Sequence, residues 1–137
     1  EYTIPIGQAK LVQEGTDLTV VSWGASVFQC LEALDQLPED VSVELIDLRT
    51  IYPIDVDAIV TSVQKTGRAV IVQEAPLTCS MASELSALIQ ERCFLHLKAP
   101  VQRVAGFDTV MPYYKLELEY LPDAKRVKEA VELTLNY

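Results

Sequence analysis

Val41–Glu74, VSVELIDLRTIYPIDVDAIVTSVQKTGRAVIVQE, carries the pattern that decides the fold. Val41–Leu48 opens it as a strand-like run, and Arg68–Glu74 closes it as another. The second run is apolar through its middle, as a strand covered on both faces has to be. Between them Val56, Ile59, Val60 and Val63 follow the i, i+3, i+4, i+7 rule and share one stripe of a helix. Pro53 and Asp55 mark the start of that helix, with Asp55 as its N-cap. Gly67 stands where a left-handed C-terminal cap belongs. Strand, helix and strand in this order form a right-handed βαβ unit, which joins parallel strands.

The same alternation continues on both sides. Upstream, Ala9–Gln13 reads as a short strand, Gly15 opens a turn, and Asp17–Trp23 is a β-branched strand broken by Gly24. Ser26–Leu37 then puts Val27, Leu31 and Leu34 on one helical face before Pro38 stops it. Downstream, a helix over Ser80–Cys93 turns Met81, Leu85, Leu88 and Ile89 inward, and Val101–Ala105 is the last strand. Gly106–Pro122 reads as irregular, and Asp123–Asn136 closes the chain as a helix through Val127, Ala130, Val131 and Thr134. The expectation is an α/β fold, a three-layer α/β/α sandwich around a mixed sheet of about five strands. The opening strand, tied to the second by a tight turn, is expected to run antiparallel to it.

The chain has 137 residues, enough for one domain over 1–137 with its own core. Glu1 rather than Met opens it and leads almost at once into strand-like sequence, which reads as a domain excised from a longer subunit. No apolar run approaches the ~20 residues of a membrane span. With 11 basic against 20 acidic residues the net charge is -9, which argues against nucleic-acid binding and would serve solubility alone or a basic protein partner. The three cysteines, Cys30, Cys79 and Cys93, are too sparse for a disulfide framework and suit a reducing setting.

In open α/β sheets, ligands gather beyond the carboxyl ends of the strands. Those ends carry Trp23–Ser26, Asp47–Thr50 and Gln73–Pro76, and the helix starts that follow could hold a small anion on backbone N–H groups. Gly24, Ser26, Glu74 and Ser80 are therefore the candidate anion or interface site. Glu74 ends an apolar strand, where partial desolvation would suit a general acid, yet no partner group stands near it in sequence. Asp47 and Arg49 are placed to pair with each other. Cys79 lies near a helix start, where a thiolate is favoured, but with no base nearby it reads as a packing residue. Cys93 and His96 span a helix end, and two ligands do not make a metal site. GxGxxG, GxxxxGK and GxSxG patterns do not occur, so catalytic, cofactor-binding and metal-binding residues are all expected to be none. Tyr113–Pro122, YYKLELEYLP, reads as a flap or subunit contact, and the terminal carboxylate of Tyr137 as a docking point for a basic partner.

Four segments occur in the same order in one family: EYTIPIGQAK (Glu1–Lys10), IDLRTIYPIDVDAI (Ile46–Ile59), KTGRAVIVQEAP (Lys65–Pro76) and EYLPDAKRVKEAV (Glu119–Val131). On them the chain resembles, over its whole length, the C-terminal transketolase-like domain of the beta subunit of a 2-oxoacid dehydrogenase decarboxylating component. The resemblance implies a five-stranded mixed sheet with one antiparallel strand. It implies an assembled oxidoreductase that uses thiamine diphosphate to decarboxylate a 2-oxoacid and acylate a lipoyl group. In that family the cofactor lies between the alpha subunit and the beta subunit's other domain, so this chain is expected to bind none and to be inactive alone. Its implied work is subunit association and docking, with an alpha subunit, a second beta subunit and the dihydrolipoyl acyltransferase core as partners.

Many branched-chain members have His where this chain has Gln73, and Gly-Gly where it has Cys79-Ser80. CFLHLKAPVQRVAGFDT (Cys93–Thr109) looks more like the branched-chain class, so the 2-oxoisovalerate type is favoured over the pyruvate type. The compartment implied is the cytoplasm in a bacterium or archaeon and the mitochondrial matrix in a eukaryote. Two other readings stay open: a small-anion regulatory domain, and the last domain of another transketolase-like enzyme, such as a sugar transketolase or deoxyxylulose phosphate synthase. QEAP together with EYLPD favours the dehydrogenase.

Overall fold

The computed structural model of the chain describes residues 3–137. Its strands are β1 (Lys10–Gln13), β2 (Leu18–Ser22), β3 (Val43–Asp47), β4 (Ala69–Pro76) and β5 (Gln102–Gly106). The helices are α1 (Ser26–Leu34), α2 (Val56–Thr66), α3 (Met81–Cys93), α4 (Glu117–Tyr120) and α5 (Ala124–Leu135). They form one five-stranded sheet in the order β1-β3-β2-β4-β5, with β2 to β5 parallel and β1 antiparallel to β3.

The alternation along each strand sorts the core into two layers. Leu18 and Val20, Val43 and Leu45, and Val70 and Val72 point to one face, where α1 and α5 cover them. Val21, Ile46, Ala69 and Ile71 point to the other, under α2 and α3. A side-chain period of two on strands buried on both sides requires both sets to be apolar. This is the expected α/β/α sandwich.

β1 runs antiparallel to β2 as expected, but β3 separates the two. The connection from β1 to β2 passes across the start of β3, where the N–H groups of Thr16 and Asp17 both donate to the Ser42 carbonyl, at 3.1 and 2.8 Å. The Asp17 carboxylate accepts in return from the Ser42 N–H at 2.8 Å. Gly15 makes the crossing: a Cβ there would stand 2.2 Å from the Val43 carbonyl carbon, so no other residue fits.

The helix ends follow the sequence closely. Asp55 caps α2 by accepting from the Ala58 N–H at 3.1 Å, and Gly67 ends it with φ +76°. Asp123 caps α5 by accepting from the Arg126 N–H at 2.8 Å. Helix α1 stops at Leu34 rather than Leu37, its last turns tightening as Gln36 and Leu37 donate to Ala33 and Leu34. The segment expected to be irregular contains α4, anchored by the buried Tyr120 edge-on to Phe107 at 6.4 Å.

Candidate functional site

The chain lays β3 on one side of β2 and β4 on the other, so the strand order reverses at the carboxyl ends of β2 and β4. A cleft of about 520 Å³ opens there, between α1 and the start of α5. Ser26 and Glu74 both line it, so the structure brings together two of the four candidate residues. Gly24 does not line it; its φ of +62° explains the glycine by backbone conformation, and the space around it is open. Ser80 does not line it either, since its hydroxyl turns back to donate to the Leu77 carbonyl at 3.2 Å.

The charge of this cleft is one-sided. Glu32, Glu74 and Asp123 line it against Lys125. The first turn of α1 has neither a side-chain cap nor an acidic residue; its Val27 and Phe28 N–H groups donate to the Gly24 and Ala25 carbonyls, at 3.4 and 3.0 Å, while the positive dipole end has no acidic countercharge in that turn. Glu74 is exposed, so the desolvation expected of it at the end of an apolar strand is not present.

What shapes the Glu74 loop is its buried neighbour, which sequence reasoning treated only as a departure from relatives. Gln73 is 1% exposed. Its Oε1 accepts the Ala82 N–H at 2.8 Å, and its Nε2 donates to the Ala75 and Pro76 carbonyls at 3.2 and 2.9 Å. One amide thus supplies the cap that Ser80 does not give to α3 and folds the loop over itself. The signal was available: a polar residue closing an apolar strand has to find partners inside.

Around this loop the other candidates find local partners. Arg49 pairs with Asp47 at 3.0 Å, as expected. The Thr78 hydroxyl and N–H both donate to Asp108, at 2.5 and 2.9 Å, stapling the loop after β4 to the segment after β5 and holding that carboxyl below its ordinary range. Cys79 is exposed with φ +52°, which corrects its reading as a packing residue, because the loop turns it outward. Burial pushes the Cys30 thiol up to about 12 and raises that of Cys93 as well. Cys93 is buried while His96 is exposed. Among the described residues no group of three or more His, Cys, Asp or Glu could hold a metal ion.

Tyr137 lies at the opposite end of the molecule. Helix α5 begins at the cleft and runs for 12 residues, which carries its C-terminus ~18 Å away. Helix α1 runs alongside and ends nearby, its Leu34 in the same core layer as Val131. Exposed Asp35, Glu39, Asp40 and Glu132 flank this end, and both helices add the negative ends of their dipoles. Tyr137 itself is 64% exposed.

A family model described as the transketolase C-terminal domain matches residues 7–127. The beta subunit of mitochondrial 2-oxoisovalerate dehydrogenase from Dictyostelium discoideum is 50% identical over 139 aligned residues, covering 100% of this chain and 37% of that protein. The beta subunit of the pyruvate dehydrogenase E1 component from Bacillus subtilis is 46% identical, covering 100% of this chain and 42% of the other. The chain therefore spans about two-fifths of the length of these relatives. Among solved structures, a split-gene transketolase described as an inactive beta4 tetramer superposes with a TM-score of 0.84 at 26% identity, over 99% of this chain and 44% of that one. A 2-oxoglutarate:ferredoxin oxidoreductase from Magnetococcus marinus shares the fold, with a TM-score of 0.61 at 15% identity, over 93% of this chain and 19% of that one.

Proposed function

Because the chain belongs to the transketolase C-terminal domain family, we propose that it is the association and docking domain of a 2-oxoacid dehydrogenase beta subunit, excised from a longer chain. The observation that carries this reading is the acidic end around Tyr137. The C-terminal ends of α1 and α5 lie there with exposed Asp35, Glu39 and Asp40, and with Glu132 beside Lys128 at 3.9 Å, in a chain of net charge -9. Such a surface suits a basic binding module of the dihydrolipoyl acyltransferase core, since complementary potentials steer and orient partners.

Association with an alpha subunit and a second beta subunit draws on a different surface. Tyr113, Tyr114 and Leu118 stand 93%, 80% and 79% exposed in the segment read as a flap or subunit contact. Side chains of this size, exposed together, mark a protein interface. The relatives favour the 2-oxoisovalerate type over the pyruvate type by a small margin, 50% against 46%.

In the assembled enzyme thiamine diphosphate would drive decarboxylation and acylation of the lipoyl group. The residues of this chain do not fit that cofactor: three carboxylates against one lysine in the cleft beside α1 would repel a diphosphate. Cofactor chemistry is accordingly assigned to the rest of the assembly. The same charge weighs against a small-anion regulatory site at Ser26 and Glu74.

Calorimetric titration with the basic subunit-binding module of an acyltransferase, at low and high salt, tests the docking reading. Binding is expected to weaken steeply with salt and to fall when Tyr137 is deleted. Binding indifferent to both salt and Tyr137, or absent also in the presence of a second beta subunit, overturns it.

A further inference from the structure

Along the outer side of β5, the last strand of the sheet, lies a second cavity of about 320 Å³ that shares no lining residue with the cleft of Ser26 and Glu74. Arg103, Arg126 and Asp108 line it, and Leu77, Ala105 and Phe107 wall it. Arg103 arrives from β5, its Nη1 donating to the Leu77 carbonyl at 3.3 Å and to the Ser83 hydroxyl at 2.7 Å. Arg126 arrives from α5, its Nη2 donating to the Ala105 carbonyl at 2.5 Å and its guanidinium lying 4.6 Å from the centre of the Phe107 ring.

Three features bear on what these groups can bind. Among the described residues neither guanidinium has a carboxylate within ion-pair distance, in a chain with 20 acidic and 11 basic residues. Nη1 of Arg126 is buried and has no acceptor at all. A buried donor left unpaired is costly, and a shift of the Arg126 side chain toward the cavity would let a ligand there complete it. Asp108, the carboxylate lining the cavity, has both oxygens occupied by Thr78, at 2.9 and 2.5 Å. It makes no ion pair with either arginine, though the charge of Arg103 helps to hold it ionised, and two guanidiniums face one carboxylate in the cavity.

We propose that this cavity is a binding site for a small aliphatic carboxylate, held by Arg103 and Arg126. A guanidinium presents a planar fork that matches a carboxylate with two parallel hydrogen bonds. The wall of Leu77, Ala105 and Phe107 offers apolar surface to a short hydrocarbon tail, which inorganic phosphate could not use. Bound there, the carboxylate ties together the loop after β4, the end of β5 and the first turn of α5. The site is independent of the docking end at Tyr137 and of the identity of the assembled enzyme.

The test is titration of the 15N-labelled chain with isobutyrate and, separately, with inorganic phosphate, following the Nε–H resonances of the arginines. Isobutyrate is expected to shift Arg103 and Arg126 saturably, and phosphate to compete more weakly. Arg126→Gln is expected to weaken isobutyrate binding roughly tenfold or more. Arg103→Gln is expected to do the same, and because Arg103 is an exposed side chain this variant keeps its fold. Arg92→Gln, at an exposed arginine outside the cavity, is expected to change nothing. The proposal fails if neither arginine shifts below about 0.1 M ligand, where salt screening takes over. It fails equally if Arg103→Gln binds isobutyrate like the parent chain, or if phosphate binds and isobutyrate does not.

Discussion

At Glu44 a single carboxylate, 3% exposed, sits inside the layer between β3 and α2. Burial alone would push its pKa up; hydrogen bonds from Lys65 and Ser62, and from the Gly15 N–H at 3.4 Å, outweigh that and hold it below the ordinary carboxylate range. A carboxyl whose pKa is lowered by folding contributes stability above its unfolded value and loses it as the pH falls through the folded one. Glu44→Gln is therefore expected to cost about 1–3 kcal/mol near neutral pH. Urea denaturation should show that difference shrinking below about pH 4. The cysteines give a second prediction on the same scale. Cys79 is exposed while Cys30 and Cys93 are buried, so one thiol of the three should react promptly with a water-soluble disulfide reagent, and all three in denaturant. Cys79→Ser should remove the prompt reaction.

Two carboxylate caps that look alike in sequence differ at the scale of elements. Asp123 serves α5 alone, whereas Asp55 caps α2 with Oδ1 and also accepts the Ala9 N–H on Oδ2 at 2.9 Å, pinning the approach to β1. Asp123→Ala is expected to cost about 0.5–2 kcal/mol, as a lost cap does. Asp55→Ala should cost more and should speed amide exchange at Ala9, which Asp123→Ala should leave unchanged. Gln73→Leu, which keeps the volume but frees the Ala82 N–H, should cost about 1–3 kcal/mol by the loss of buried partners. Helices and central strands were legible from the sequence because periodicity and caps are local: Asp55, Gly67 and Asp123 act where their types predict. Gln73 was not, since its partners depend on how the loop after β4 folds back. Of the four candidate residues, spacing placed two at one cleft. The carboxyl ends of β2 and β4 gave Ser26 and Glu74, but Ser80 turns away along a local hydrogen bond that spacing does not encode.

Across the whole molecule, the position of β1 is the point that strand patterns could not supply. A short connection normally predicts neighbours, and here Gly15 lets the chain pass over the start of β3 instead. The consequence is one of timing. Lys10 faces Asp47 across the sheet, so β1, made before β2 and β3, has no docking partner until the sequence through β3 has followed it and settled beside β2. Of these five strands the first made is thus not the first laid down, and as an edge strand it can peel away without disturbing the rest. Native-state hydrogen exchange should show it: the amides of β1 opening at low free energy, and those of β2 and β4 only with the whole fold. Until β1 arrives the outer margin of β3 is an open template for another chain, and a nascent subunit would need company during that interval.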